Sequence, residues 1–331
     1  MRKAFLLGIL FFITSVATAD VTVLKVVIRS DPPGQLMEVR PSISNAPTNS
    51  PARKSIMKIS VLATVRVDGS TSKPVKVKYI RVGPRTFGGH VHPGPPEAKR
   101  GTVTPSYGTM SLIRRYLNNT RADYRFNTTY TASEISGRYR FNVQVGGKLS
   151  TSAIWVKIPS LVNLAQFSGN WMRVGQTNTH PDNHYVTNEV ATALRRLAKD
   201  WRKYWNDLPK AERDKYDTSV GTLHINDCSL KLGGLFDINA NWSPSHNTHR
   251  TGFDTDIRTD KVANSARTGG IPPRVMPNSN FDHKAKFEEL VDDAYPGATI
   301  LHENKGEANP NEHFHIFWIP NRDARRYAGY R

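Results

Sequence analysis

Histidine and carboxylate crowd two short stretches of this chain. The first reads Ser245-His246-Asn247-Thr248-His249-Arg250-Thr251-Gly252-Phe253-Asp254-Thr255-Asp256; the second, further on, reads Glu312-His313-Phe314-His315. Imidazole nitrogen and carboxylate oxygen are the donors a borderline-soft divalent cation takes. Three of them around one ion, with a fourth position left open, make a catalytic zinc site. A lone His-x-His pair is weak evidence, whereas several ligand-type residues at compatible offsets carry weight.

Two short strands are needed to bring such residues together. Phe253 to Arg258 and the beginning of His313 to Trp318 alternate apolar and polar residues. Successive strand side chains point to opposite faces, so His313 and His315 project together while Phe314, Ile316 and Trp318 enter a core. Asp254 and Asp256 share a face by the same rule. Gly252 suggests a tight turn feeding the first strand, which swings His249 back over Asp256. A His, an Asp and one His of the His-x-His pair then converge on one metal. Asp254 reads either as a partner orienting a ligand His or as a strand-start residue. His302, closing the apolar run Ala298 to Leu301, reads as a strand-end residue.

The set formed by His249, Gly252, Asp254, Asp256 and the late His313-Phe314-His315 resembles the LAS group of zinc peptidases, and within it the penicillin-insensitive murein endopeptidases. The likeness covers the chain from Thr222 onward. It implies an α+β domain with a small antiparallel sheet, zinc (Zn2+) held by His249, Asp256 and His315, catalytic assistance from His313, and His246 close by. The long N-terminal part lies outside it.

Such a centre activates water and polarises a scissile carbonyl, with a nearby base moving the proton to the leaving amine. His313 is the candidate base, because it shares a strand face with His315 at about 7 Å along the strand. His246 is placed to orient the water or stabilise an oxyanion. Arg250 is read either as a substrate-carboxylate contact or as one half of a structural ion pair. Ser229 and Asp227 are further candidate substrate contacts. Leu232-Gly233-Gly234-Leu235-Phe236-Asp237-Ile238 lacks the phosphate-loop pattern and is expected to line the cleft. The loop Asp260 to Asn280, rich in Pro and Gly, is expected to border it.

Met1 to Ala19 carries Arg2-Lys3, an apolar run and Ala17-Thr18-Ala19 before Asp20, the pattern of a secretory leader too short to span a bilayer. The expected location is secreted or periplasmic, with no transmembrane segment and no lipid anchor. The single cysteine, Cys228, excludes an intramolecular disulfide, and its apolar flanks point to an inert core thiol. The net charge is +18, two units of which come from Arg2 and Lys3. Such a balance steers polyanions toward the surface: peptidoglycan and anionic cell-envelope polymers are the expected partners, while no motif supports specific nucleic-acid recognition.

Residues 20–160 alternate as short strands between Gly, Pro, Ser and Asn turns, which predicts an all-β immunoglobulin-like module. Tyr139, Phe141, Val143 and Val145 should face its core. His90 and His92, in a Pro- and Gly-rich loop, form a second His-x-His pair without an obvious third ligand. After a boundary near residue 160, residues 161–331 read as the zinc peptidase-like domain. There, Thr187 or Asn188 caps a helix reaching about Asp207, with Val190, Leu194, Leu197, Trp201, Trp205 and Leu208 at helical spacing. The leading expectation is an exported metallopeptidase cutting amide bonds in peptidoglycan cross-links. The alternatives are a catalytically inactive metal-containing wall-binding protein and a basic polyanion binder with incidental histidines.

Overall fold

A computed structural model describes residues 22–43, 52–67, 74–96, 99–117, 120–164, 170–214, 218–243, 248–258, 283–303 and 313–319. The leader, His246, Glu312 and the loop Asp260 to Asn280 lie outside the described residues.

The N-terminal part is two facing sheets. One has the order β1 (Val23–Ser30), β3 (Ile56–Arg66), β8 (Arg121–Thr131) and β5 (Thr102–Thr104), with β7 (Ser111–Arg115) also paired to β8. The other runs β2 (Glu38–Val39), β10 (Lys148–Val156), β9 (Gly137–Val145), β4 (Lys76–Phe87) and β6 (Gly108–Thr109). Every pairing is antiparallel except that of β2 with β10. Alternation along each strand puts one row of side chains between the sheets. Tyr139, Phe141, Val143 and Val145 are fully buried there with Val61 and Ile154.

β11 (Val162–Asn163) and β13 (Tyr185–Val186) form a short antiparallel pair after the sandwich. The five-stranded sheet that follows has the order β12 (Trp171–Arg173), β14 (Leu223–Ile225), β15 (Asp254–Arg258), β17 (His313–Phe317) and β16 (Thr299–Glu303). The sheet is antiparallel except at its edge, where β12 runs parallel to β14. This corrects the purely antiparallel expectation. A parallel partner needs a crossover, which the chain makes through α1 (Asn188–Asp207) and the short α2 (Lys210–Arg213).

α1 starts where Thr187 accepts a hydrogen bond from the Val190 N–H, a side-chain N-cap. Its stripe of Val190, Leu194, Leu197, Trp201 and Trp205 is buried against α3 (Lys284–Ala294) and one face of the sheet. Trp201 stacks on Trp205 and meets Phe287 edge-on at 5.5 Å. From the sheet, Ile225, Ile257, Phe314 and Ile316 point into this core. Because strand side chains alternate, Asp254, Asp256, His313 and His315 are turned to the opposite face.

Candidate metal centre

Register decides which side chains meet. β15 and β17 pair so that Asp256 stands directly opposite His315, and β16 and β17 pair so that Glu303 stands opposite His313. Directly opposed residues have Cβ atoms about 5 Å apart, within reach of one bound ion. Trp318 locks this register: its N–H donates to the Phe253 carbonyl and its indole Nε1 donates to Thr255 Oγ1 at 2.9 Å.

His249 arrives from a turn. Its backbone has φ 59°, left-handed for a non-glycine residue, and its N–H donates to Asp254 Oδ2 at 3.1 Å. Gly252 follows at φ 79°, where an added Cβ would stand 2.5 Å from Leu161 Cδ2 and 3.1 Å from the Thr187 nitrogen. Only glycine fits that close approach without strain. The turn lays the imidazole over the strand, with His249 Nε2 3.3 Å from Asp256 Oδ2. His315 Nδ1 is 2.9 Å from Asp256 Oδ1, and the two imidazoles lie 4.8 Å apart. One ligand atom from each of His249, Asp256 and His315 lies within 4.8 Å of the others, and all three residues are buried.

The charges agree with a cation site. Asp256, Asp254 and Asp227 converge on the buried imidazoles. Burial acts to lower the pKa of His249, but the Asp256 carboxylate, backed by Asp254 and Asp227, raises it to about 9. Burial likewise disfavours the Asp256 anion, yet His249 and His315 hold its pKa well below the usual range. Burial raises Asp254 and Asp227. The pocket therefore favours positive charge at its centre. His315 Nε2 is buried without a hydrogen-bond partner, and Asp254 Oδ1 stands 4.0 Å from it. A donor set of two imidazoles and one carboxylate, with such an orphaned nitrogen, fits a zinc ion.

His313 sits beside this group. Its Nε2 lies 3.5 Å from Asp256 Oδ2 and 3.4 Å from Glu303 Oε2. Glu303 also belongs to a potential ligand group with His313 and His315. Glu303 meets His313 only through the register of β16 on β17, which no local sequence pattern encodes.

Three expected substrate contacts have other occupations. Arg250 is 2% exposed, and its guanidinium lies 3.4 Å from Glu134 of the sandwich, which fits the ion-pair reading rather than the substrate one. Ser229 is fully buried, its hydroxyl donating to the Leu230 carbonyl and its backbone paired with Tyr185. Asp227 is half-buried and accepts from the side-chain amides of Asn183 and Asn226, close enough to act on the charge of His249. His302 is paired with Phe314 at the strand end, its ring 4.8 Å from that phenyl. Cys228 is buried, and burial drives its thiol pKa well above the ordinary value, so it remains an unreactive thiol.

The Leu232–Ile238 stretch was expected to line the cleft. Its Phe236 ring lies 6.5 Å from that of His249, and the stretch also docks on the sandwich: Gly234 bridges to Ile135, the Leu235 N–H donates to the Glu134 carbonyl, and Ser136 Oγ donates to the Gly233 carbonyl. Gly233 and Gly234 both have positive φ; a Cβ on Gly233 would collide with the Ile158 side chain and the Arg250 carbonyl, and one on Gly234 with the Glu134 carbonyl across this junction.

No protein-family model, no curated protein and no solved structure matches this chain. The resemblance read from the motifs therefore rests on the residues themselves.

Proposed function

We propose that this chain is an exported zinc-dependent peptidase that hydrolyses amide bonds in peptidoglycan peptide cross-links, with an immunoglobulin-like module in front of a LAS-type catalytic domain. The observation that carries this reading is the convergence of His249, Asp256 and His315 from a turn and two strands, with a third imidazole, that of His313, beside them. His249, Asp256 and His315 hold the ion. Bound there, zinc supplies Lewis acidity toward a carbonyl and makes water nucleophilic at neutral pH.

The chain's own residues do the rest. Asp254 fixes the turn through the His249 N–H and stands against His315, so two ligands keep their orientation. His313, on the face of His315 but paired with Glu303, accepts the proton of the attacking water and passes it to the departing amine. Glu303 stabilises the imidazolium formed in between. The basic surface of the chain brings it to an anionic wall.

Purified protein incubated with peptidoglycan should release new amino termini. His249→Ala, Asp256→Ala and His315→Ala should each abolish that release and lose the bound zinc. Undiminished cleavage by these variants would refute the assignment. Zinc binding without any release would favour the wall-binding protein instead.

A further inference from the structure

A second group of ligand-type side chains lies where the sandwich meets the C-terminal unit. His90 and His92 come from the loop after β4, His180 from the segment between β12 and β13, and Asp237 from the end of the glycine-containing stretch. One ligand atom from each lies within 4.8 Å of the other three. Six of the chain's eleven histidines thus sit in two clusters.

The distances are informative. His90 Nδ1 is 3.0 Å from Asp237 Oδ1 and 3.1 Å from Nε2 of both His92 and His180. Asp237 Oδ1 is 3.1 Å from His180 Nε2 and 3.4 Å from His92 Nε2. A tetrahedral zinc with bonds of about 2.0–2.1 Å separates its ligand atoms by about 3.3 Å. Five contacts between 3.0 and 3.4 Å match five of the six edges of such a tetrahedron, and the sixth pair, His92 with His180, lies within 4.8 Å.

Hydrogen bonding alone does not explain them. His90 Nε2 must donate to the Leu235 carbonyl at 3.1 Å, because a carbonyl only accepts. In the neutral ring, Nδ1 then carries a lone pair, yet it faces a carboxylate oxygen and two further ring nitrogens. A cation at the centre satisfies all four atoms at once.

The surroundings resemble an outer ligand shell. Asp237 Oδ2 accepts from the Trp242 backbone N–H, which leaves Oδ1 for the cluster. His180 Nδ1 lies 3.2 Å from Thr179 Oγ1. The Trp242 indole flanks His90 and His92 at 4.6 and 4.4 Å, and its Nε1 donates to the Pro93 carbonyl. His90, His180 and Asp237 are buried and His92 nearly so.

We propose that His90, His92, His180 and Asp237 bind a structural zinc ion that fastens the sandwich to the C-terminal unit. Four protein donors leave no position for water, so this site stabilises and does no chemistry. Phe236 links it to the first cluster, its ring 5.3 Å from His180 and 6.5 Å from His249. The junction ion therefore also steadies the wall behind His249.

Zinc per chain, measured by elemental analysis on the full chain purified without chelator, tests this. The expected counts are two for wild type, one for His249→Ala, one for His92→Ala and none for the double variant. His92 is the most accessible of the four, so its loss disturbs the fold least. Cobalt added to zinc-stripped His249→Ala protein should give the visible absorption of a tetrahedral ion, absent from the double variant. Two zinc ions retained in His92→Ala would overturn the proposal. So would a folded His249→Ala protein with neither zinc nor the cobalt spectrum, a result that stands even if His92→Ala fails to fold. One zinc in both wild type and His249→Ala would keep this site while removing the catalytic one.

Discussion

His249 is held in a left-handed backbone conformation and fully buried among carboxylates. A non-glycine residue there costs on the order of 1–2 kcal/mol, which the surrounding turn must offset, and such strain gathers at functional positions. His313 has the opposite character: it is regular strand and slightly accessible, with a carboxylate partner. His313→Ala should keep the zinc bound by His249, Asp256 and His315 but lower turnover about 10²- to 10⁴-fold, the usual contribution of a positioned base. A loss of metal in parallel with activity would make His313 a ligand instead. Away from the centre, His184 donates from Nε2 to the Ile225 carbonyl, and burial lowers its pKa from 6.5 to about 4. Between those values the unfolded chain holds a proton that the folded chain refuses, so stability falls as pH drops from 6.5 toward 4, by about 3 kcal/mol. Urea unfolding at pH 7 and pH 4.5 should show a smaller acid loss in His184→Gln than in wild type. Equal losses would acquit His184.

The strands and the turn make the site, and their period explains what could be read beforehand. Alternation in Phe253 to Arg258 and in His313 to Trp318 is enough to separate the core row, Phe314 and Ile316, from the row that faces the candidate site, His313 and His315. A slip of one residue in β17 would exchange the two rows. Helical spacing likewise gives α1, with the cap open between Thr187 and Asn188 in the sequence and Thr187 taking it in the structure. Glu303 was not legible, because its meeting with His313 depends on register between strands, which no local pattern encodes. The parallel edge strand β12 was hidden for a related reason: three residues are too few to show alternation. The second cluster was half visible, since His90 and His92 advertise themselves as a pair while His180 and Asp237 stand in separate loops. Gly252 is legible from residue type alone, its φ of 79° being a conformation that favours glycine. Gly252→Ala should cost about 1–2 kcal/mol from the left-handed backbone, with more from the clash at Leu161. It should also weaken zinc binding by displacing His249. Thermal unfolding with and without zinc measures both; unchanged values would mean that the turn does not set the ligand.

At the scale of the molecule, two separately cored units are tied by the Leu232–Asp237 stretch, the Arg250–Glu134 ion pair and the small apolar patch of Ile135, Leu235 and Trp242. No helix among the described residues is long and apolar enough to cross a membrane. The net charge of +18 acts over about 8 Å at physiological salt. Binding to isolated anionic wall polymer should therefore weaken steeply as salt rises from 50 to 500 mM, while turnover of a short soluble peptide changes little. Salt-insensitive wall binding would assign recognition to a specific contact rather than to charge.

The most direct measurement is an anomalous-difference map at the zinc edge from crystals of the purified chain. It should show an ion bounded by His249, Asp256 and His315. Density at the zinc edge absent from that position, with the three side chains well ordered, would contradict the account.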